Sequence, residues 1–250
     1  MRCFVTAGPT WEPLDRVRRL TNFSTGSLGG QLANHLAAAG HEVRLFLGGS
    51  AVWRGPLAAV TVEEFSTTAS LGDRIAAHAG PEPVAFFHAA AVSDFTAGAA
   101  LERASDGKLS PLSAGKLSTR GGTLLVELVP TPKILPRLRG LFPAGWIVGW
   151  KFEADGDRAD VLARVARQFA ESHNDLCVAN GPAYGDGFGL VRPAGEMTHL
   201  DDRPALFAAL AERLREMETW RAGWPACPPA REIVDFSRRN FPLVTSPPAS

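Results

Sequence analysis

The chain has 250 residues, of which 45% are hydrophobic and 21% are charged, so it is long enough to bury one sizeable core. Its 26 basic and 26 acidic residues cancel to a formal net charge of zero. This balance argues against a dedicated nucleic-acid-binding protein, which usually carries a basic excess. We therefore expect no nucleic-acid partner.

The cysteines point to a reducing compartment. Cys3, Cys177 and Cys227 lie far apart and form no CxxC pair. Cys3 and Cys177 stand within apolar runs, which predicts small buried hydrophobic side chains. The sequence has no N-terminal signal pattern and no apolar run long enough to span a bilayer. These features predict a cytoplasmic protein without a membrane partner.

The beginning of the chain predicts a βαβ unit with a nucleotide site. A strand over Arg2–Ala7 ends in the turn Gly8-Pro9-Thr10, and the glycine-rich segment 24–30 leads into an Ala/Leu-rich helix. A second strand is predicted at 42–47. Free backbone N–H groups at the start of such a helix can hold phosphate.

The later elements continue the alternation of strand and helix. Unbroken apolar runs predict strands buried on both faces, and apolar residues at helical spacing predict a crossover helix. The predicted strands are 83–91, 146–152 and 175–179, with helices at 155–172 and 204–217 and a hairpin formed by 189–192 and 196–199.

Two segments do not follow this alternation of strand and helix. Residues 101–129 begin with a Gly/Ser-rich loop and end in the apolar run 123–129, which predicts an inserted strand or flap. We therefore expect one ligand-binding domain over 1–218 with an insert at about 96–130. Tryptophans and prolines dominate the following residues, so 219–250 are expected to form an extended C-terminal arm.

Several familiar motifs are absent. The turn after the first strand lacks the dinucleotide fingerprint GxGxxG, and Tyr184, the single tyrosine, has Phe188 where a short-chain reductase has lysine. Gly115-Lys116 lacks the remaining residues of a P-loop. The six histidines have no metal-ligand spacing, so we predict no metal site made of side chains. An NADP-dependent oxidoreductase is therefore the less favoured alternative.

Polar residues remain at strand ends and in the loops that follow, where open α/β sheets bind ligands. They are Thr10, Asn22, Ser24, Asp94, Lys116, Lys151 and Asn180.

Seven short blocks, six of which contain these residues, together resemble the phosphopantothenoylcysteine synthetase family. The match runs in order from about residue 3 to residue 218, and the ordered series is far more specific than any single block. The blocks are Val-Thr-Ala-Gly-Pro-Thr at 5–10, Asn-Phe-Ser-Thr-Gly at 22–26, Ala-Ala-Ala-Val-Ser-Asp-Phe at 89–95, Gly-Lys-Leu-Ser-Thr-Arg-Gly-Gly at 115–122, Leu-Val-Pro-Thr-Pro at 128–132, Gly-Trp-Lys-Phe-Glu at 149–153 and Val-Ala-Asn at 178–180.

The resemblance implies a Rossmann-like three-layer αβα fold with a mostly parallel central sheet, and a homodimer. It also implies a ligase of coenzyme A biosynthesis. In this family the carboxylate of 4'-phosphopantothenate attacks the α-phosphate of ATP or CTP, supplied with Mg²⁺. The resulting acyl nucleotidylate then reacts with cysteine.

The resemblance assigns roles to individual residues. Asn22 and Lys116 match the catalytic asparagine and the flap lysine, and Asn22, Ser24 and Thr25 match substrate-binding positions. The matching nucleotide-binding positions are Gly8, Thr10, Ser24, Gly26, Asp94, Phe152 and Asn180. The residues alone also permit simpler interpretations, such as a helix N-cap for Asn22, a solvated lysine at 116, a turn aspartate at 94 and a core aromatic at 152.

Two departures from the family leave questions open. Bacterial members that use CTP carry two lysines in the helix before the Val-Ala-Asn block, and segment 164–173 has none. The sequence is closer to the monofunctional eukaryotic form that accepts ATP, and Lys151, Arg164 or Arg167 could supply the missing charge. Pro9 replaces a glycine and removes an N–H donor. A catalytically degenerate nucleotide-binding or interaction protein therefore remains an alternative.

Overall fold

The structure is a computed structural model that describes residues 1–57, 60–112 and 123–222, with side chains up to residue 218. Within these ranges the strands are β1 (Arg2–Ala7), β2 (Trp11–Pro13), β3 (Arg19–Thr21), β4 (Glu42–Gly48), β5 (Val60–Phe65), β6 (Val84–His88), β7 (Phe95–Arg103), β8 (Leu109–Leu112), β9 (Thr123–Pro130), β10 (Trp146–Phe152), β11 (Leu176–Asn180), β12 (Phe188–Val191) and β13 (Met197–Leu200). The helices are α1 (Ser27–Ala38), α2 (Thr68–Ala76), α3 (Leu135–Leu141), α4 (Arg158–Ser172) and α5 (Arg203–Ala222).

Eight strands form a central sheet in the order β13-β12-β11-β10-β6-β1-β4-β5. The six strands from β11 to β5 are parallel, whereas β12 and β13 form an antiparallel hairpin at one edge. The chain starts at β1, proceeds outward through β4 and β5, and then returns to β6 on the other side of β1. The strand order therefore reverses between β1 and β6, where such sheets bind ligands.

Helices cover both faces of this sheet, so the predicted three-layer fold is confirmed. Leu32 and Leu36 of α1 and Leu210 of α5 belong to the core on one face. On the other face α2 and α3 bury Leu71 and Leu138. Val161 and Val165 of α4 pack against β11 in a third cluster. Because the central parallel strands are buried on both faces, they appear in the sequence as continuous apolar runs.

The region expected to hold an insert contains a separate antiparallel sheet in the order β8-β7-β9. It leaves the central sheet after β6 and returns before α3, so it borders the edge at which β1 and β6 end. The paired strands β7 and β9 carry a bulge between Ala97 and Ala100.

Helix ends differ from the predicted bounds for local reasons. The structure starts α4 at Arg158 because Asp157 forms a capping box with Asp160, which fixes the first turn. The last helix, α5, continues to Ala222, so the predicted domain boundary at 218 falls inside it, and residues 219–222 are helical rather than part of an extended arm. Residues 223–250 lie outside the described part of the chain.

Both described cysteines are buried, as predicted. Cys3 and Cys177 are fully inaccessible to solvent, and burial raises the pKa of each thiol to about 12. Neither thiol is therefore a nucleophile at neutral pH. None of the helices in the described ranges is long and apolar enough to cross a membrane.

Candidate active site

The loops that leave β1 and β6 are joined at the point where the strand order reverses. Pro9 and Ala91 form a parallel bridge just beyond the two strands, and the Thr10 amide donates to the Ala91 carbonyl at 3.1 Å. The Ala91 amide in turn donates to the Gly8 carbonyl at 3.0 Å. The two loops therefore form one surface along the carboxyl edge of the sheet.

Close packing of small residues shapes the turn before α1. Gly8 and Gly26 both have positive φ, +82° and +80°, a region that strongly favours glycine. A Cβ atom at either position would lie 3.0 Å from the Ala51 side chain. The first turn of α1 contains no acidic residue and its N-cap Gly26 has no capping side chain, so the amides of this turn that follow Ser27 can bind an anion.

Thr10 is fully buried and acts inside the protein. Its hydroxyl accepts a hydrogen bond from the Ser93 amide at 2.7 Å, and its carbonyl accepts one from the Thr21 hydroxyl at 2.9 Å. These bonds tie the loop after β6 to β3. In this conformation Thr10 positions the loop that carries Asp94 and has no surface for direct contact with a nucleotide.

Asn22 joins the segment before α1 to the loop after β6. Its side-chain amide donates to the Ala91 carbonyl at 2.8 Å, the same oxygen that accepts from Thr10. The N-cap of α1 is Gly26, which excludes the simple capping role for Asn22. Asn22 itself is exposed, so a ligand on this edge can reach it.

The residues between Asn22 and α1 lie beside a cation that sequence reasoning missed. Ser24 is half-buried, and the Thr25 hydroxyl accepts from the Ser27 amide at 3.3 Å. Arg203, the first residue of α5, donates to the Ser27 hydroxyl at 3.1 Å. This places a guanidinium at the first turn of α1. No local sequence signal could have found it, because Arg203 is remote in the chain.

A cleft of about 590 Å³ opens at the ends of β6 and β10 and is walled by α3 and α4. This volume lies within the range of small-molecule sites. Ala90, Val92 and Asp94 of the loop after β6 line one side of it. The cleft therefore borders the loop after β6, whose Ala91 carbonyl accepts the hydrogen bond from Asn22.

Basic side chains line the cleft on two elements. Lys151 of β10 and Arg164 and Arg167 of α4 all face it, which brings together the three cations considered as replacements for the missing helix lysines. Lys151 lies 3.1 Å from Glu153, and Arg164 pairs with the same carboxylate. Among the described residues Arg167 has no ion pair within 4.0 Å, so its charge is available to an anion.

The remaining predicted nucleotide contacts also lie at this edge. Asp94 is exposed in the cleft and forms an ion pair with Lys133, which the sequence analysis did not single out. Phe152 is exposed and stands opposite Asn180 in the register of β10 and β11. The Asn180 side-chain oxygen is buried and has no hydrogen-bond partner within the described chain.

Lys116 lies outside the described residues, between the end of β8 and the start of β9. The described ranges contain no cluster of three or more His, Cys, Asp or Glu side chains placed to hold a metal ion.

Comparisons with known proteins agree with this architecture. The sequence model of the DNA/pantothenate metabolism flavoprotein C-terminal domain matches residues 1–205. The chain belongs to this family. Membership confirms the resemblance that the ordered motifs indicated.

Relatives of the flavoprotein C-terminal domain include proteins of coenzyme A biosynthesis. The bifunctional protein CoaBC of Thermococcus kodakarensis is 32% identical over 180 residues, which are 72% of this chain and 41% of that protein. The protein of the same name from Escherichia coli is 29% identical over 182 residues, with the same two coverages of 72% and 41%. The chain thus spans about two fifths of the length of these relatives.

Solved structures share the fold of this flavoprotein domain. The DNA/pantothenate metabolism flavoprotein from Streptococcus pneumoniae superimposes with a TM-score of 0.73 at 23% identity, covering 87% of this chain and 99% of that chain. A Cab2 mutant in complex with phosphopantothenate-cysteine has a TM-score of 0.64 at 21% identity and covers 88% and 87%. At these identities the similarity shows the fold alone.

Proposed function

We propose that this protein is a ligase that joins 4'-phosphopantothenate to L-cysteine through an acyl nucleotidylate. A carboxylate oxygen of phosphopantothenate attacks the α-phosphorus of a nucleoside triphosphate, and pyrophosphate leaves. The cysteine amine then attacks the acyl carbon, loses a proton as the amide forms, and displaces the nucleoside monophosphate. The CoaBC relatives are proteins of coenzyme A biosynthesis, and the Cab2 mutant is in complex with phosphopantothenate-cysteine, the product of such a ligase.

One observation carries the proposal. The Asn22 amide bonds to the Ala91 carbonyl and so fixes the glycine turn before α1 against the loop that borders the cleft. A nucleotide can therefore place its phosphates at the glycine turn and its base in the cleft on one rigid edge. Such pre-organisation is the main contribution a protein can make to nucleotidyl transfer.

The surrounding side chains suit these two ends of a nucleotide. Backbone amides of α1 and the guanidinium of Arg203 would receive phosphate oxygens, while Asp94 would accept hydrogen bonds from the sugar. Phe152 is exposed at the end of β10 but is not among the residues that line the cleft, so it would contact the nucleotide outside the cleft. The magnesium ion enters with the triphosphate as part of the substrate, held by phosphate oxygens and water, which is how Mg²⁺ usually binds at nucleotide sites.

The deciding experiment is pyrophosphate release by the purified protein with 4'-phosphopantothenate, Mg²⁺ and cysteine. ATP and CTP are supplied in separate reactions, and each substrate is omitted in turn. Release that requires phosphopantothenate supports the ligase and identifies its nucleotide. If the folded protein binds nucleotide but releases no pyrophosphate with either, the degenerate binding protein is the better description. Hydride transfer with NADP would instead favour an oxidoreductase.

Lys116 is proposed to neutralise phosphate charge that develops in the first step. Replacing Lys116 with Ala should lower turnover about a hundredfold or more, because a donor to the transition state is lost, and should leave the melting temperature unchanged. Lys108→Ala, which removes a lysine from the turn between β7 and β8, is the matched control. Near-normal pyrophosphate release by the Lys116 variant would exclude Lys116 from the mechanism.

The homodimer implied by the resemblance is also proposed, and the separate sheet offers the surface for it. Cross-strand pairing places Leu124 and Leu128 on one face of β9, with Ala97 opposite Leu128 on β7. Leu124 and Leu128 are 38% and 47% exposed, and large exposed apolar side chains that share one face of a sheet are typical of an interface. A second copy of the chain would cover this apolar face.

A further inference from the structure

His88 lies in the cleft but outside all of the family motifs. His88 is the last residue of β6, is only 8% exposed, and lines the cleft. Its neighbour in β10 is Gly149. Because Gly149 has no side chain, Gln168 of α4 can approach the sheet here; a Cβ at 149 would lie 2.6 Å from the Gln168 amide nitrogen. His88 therefore forms part of the cleft floor.

Hydrogen bonding fixes the tautomer of this ring. The Ala90 amide donates to the Thr6 hydroxyl oxygen at 3.1 Å, and that oxygen lies 2.9 Å from His88 Nδ1. The Thr6 hydroxyl has one proton to donate, and among the described residues His88 Nδ1 is the acceptor within hydrogen-bond distance of it. Thr6 therefore donates to Nδ1, and the ring proton is on Nε2.

The ring is also neutral at physiological pH. Burial lowers the pKa of His88 to about 4. A neutral ring with Nδ1 held by Thr6 presents one N–H donor at Nε2 and no lone pair for proton abstraction. His88 is therefore suited to recognition and not to general base catalysis.

The Nε2–H group has no hydrogen-bond partner among the described residues. Gln168, Glu171 and Ser172 of α4 line the same cleft and carry acceptor atoms, but among the described residues none of them is hydrogen-bonded to the His88 ring. An occupant of the cleft that supplies an acceptor to this donor gains affinity. An uncharged ring nitrogen or carbonyl oxygen of a flat heterocycle is an acceptor that suits this neutral donor.

We propose that His88 is a specificity-determining residue that reads the nucleotide base, with Nε2–H donating to a ring nitrogen or carbonyl oxygen of the base in the cleft. This rests on the proposed nucleotide-dependent function. The proposed function assigns the phosphates to the glycine turn before α1, which the Asn22–Ala91 hydrogen bond joins to the loop that lines the cleft, and assigns the base to the cleft. Thr6 acts as the positioning residue, because it fixes the direction of the ring donor.

The test measures coupling between His88 and single atoms of the base. The wild type, His88→Leu and His88→Gln are titrated calorimetrically with ATP, CTP and analogues of each in which one base acceptor is replaced by a carbon–hydrogen group. In the wild type, one analogue should bind about tenfold more weakly than its parent nucleotide. His88→Leu should bind the parent about tenfold more weakly and show no further loss with that analogue, whereas His88→Gln, which keeps an N–H donor, should recover part of the affinity. If every analogue lost as much affinity with His88→Leu as with the wild type, the proposal would be overturned.

A spectroscopic measurement tests the tautomer separately. Two-bond ¹H–¹⁵N spectra of histidine-labelled protein should show His88 protonated at Nε2, with the Nε2 signal moving when nucleotide binds. Thr6→Ser, which keeps the hydroxyl, should retain this tautomer, and Thr6→Val should mix the two tautomers. A proton on Nδ1 in the wild type, or an Nε2 signal that nucleotide leaves unmoved, would overturn the assignment.

The two proposals fail in different ways. Nucleotide binding that couples to His88, without pyrophosphate release, supports the base-reading role and contradicts the ligase. Phosphopantothenate-dependent pyrophosphate release with no coupling at His88 supports the ligase and contradicts the base-reading role.

Discussion

Asn22 is an exposed side chain whose amide is nevertheless committed to a backbone carbonyl. Replacement by Asp removes the donor to Ala91 and sets a carboxylate against that carbonyl oxygen, so the glycine turn and the cleft loop lose their link. We expect acyl nucleotidylate formation to fall about a hundredfold, because a small misplacement of reacting groups is costly. Quench-flow detection of the intermediate measures this step.

Asn34 provides a matched control for that substitution. Its amide also donates to a backbone carbonyl, that of Pro56, at 2.5 Å, and it lies in α1 away from the edge of the sheet. Asn34→Asp should leave intermediate formation within about twofold of wild type. If both variants behave alike, the loss at Asn22 reflects general destabilisation and the assigned role is wrong.

Sequence reasoning predicted which edge of the sheet the site side chains occupy better than it predicted the contacts that each one makes. Thr10 and Asn22 lie at the predicted edge. Thr10 is nevertheless buried, because segments distant in the chain pack over it and form two hydrogen bonds with it. Arg203 and His88 carried no signal, because an arginine that starts a helix and a histidine that ends a buried strand are common in any α/β protein. Their significance comes only from which remote segments lie beside them.

At the scale of elements, a glycine allows α1 to pack closely against β1. Gly29 faces β1, and a Cβ there would lie 2.6 Å from the Ala7 side chain and 3.1 Å from the Thr6 carbonyl oxygen. Neither atom can rotate away, so Gly29→Ala should displace α1 from the sheet. Overpacking of this kind costs about 1–3 kcal/mol, and the displaced first turn should also weaken nucleotide binding. Denaturant unfolding and calorimetry measure the two effects.

Gly140 in α3 is the matched control. A Cβ at this helical position would meet no atom within 4 Å. Gly140→Ala should stabilise the protein by up to about 1 kcal/mol, since alanine is the better helix former, and should leave nucleotide affinity unchanged. A neutral Gly29→Ala variant would show that α1 can adjust without loss.

The elements that the sequence predicted are those with a strong periodic or continuous apolar signal. The predicted bounds of β1 and β10 agree with the structure because both strands are buried on two faces. The hairpin of β2 and β3 has no such signal, since each strand has three residues and the pair includes exposed arginine and proline. Strand β7 was not predicted because its alanines and glycine have low strand propensity and its partners lie elsewhere in the chain.

The whole molecule leaves an apolar face on the separate sheet, and its role can be tested at the level of assembly. Leu128→Lys places a charge on the face shared with Leu124, and burying that charge between two copies would be costly. We expect the dimer dissociation constant to rise at least about tenfold, with specific activity falling on dilution if residues of one copy complete the site of the other. Light scattering after gel filtration and activity at several concentrations measure both.

Leu109 separates the effect of assembly from that of surface charge. It is 49% exposed and pairs with Arg103, whereas Leu124 pairs with Glu102, so adjacent residues of β7 place these two leucines on opposite faces of the same sheet. Leu109→Lys should therefore leave the dimer and the activity unchanged. A dimer that tolerates Leu128→Lys but dissociates with Leu109→Lys would assign the interface to the other face. If the Leu128 variant were monomeric yet fully active at every concentration, each copy would contain a complete site, and the dimer would have no part in the reaction.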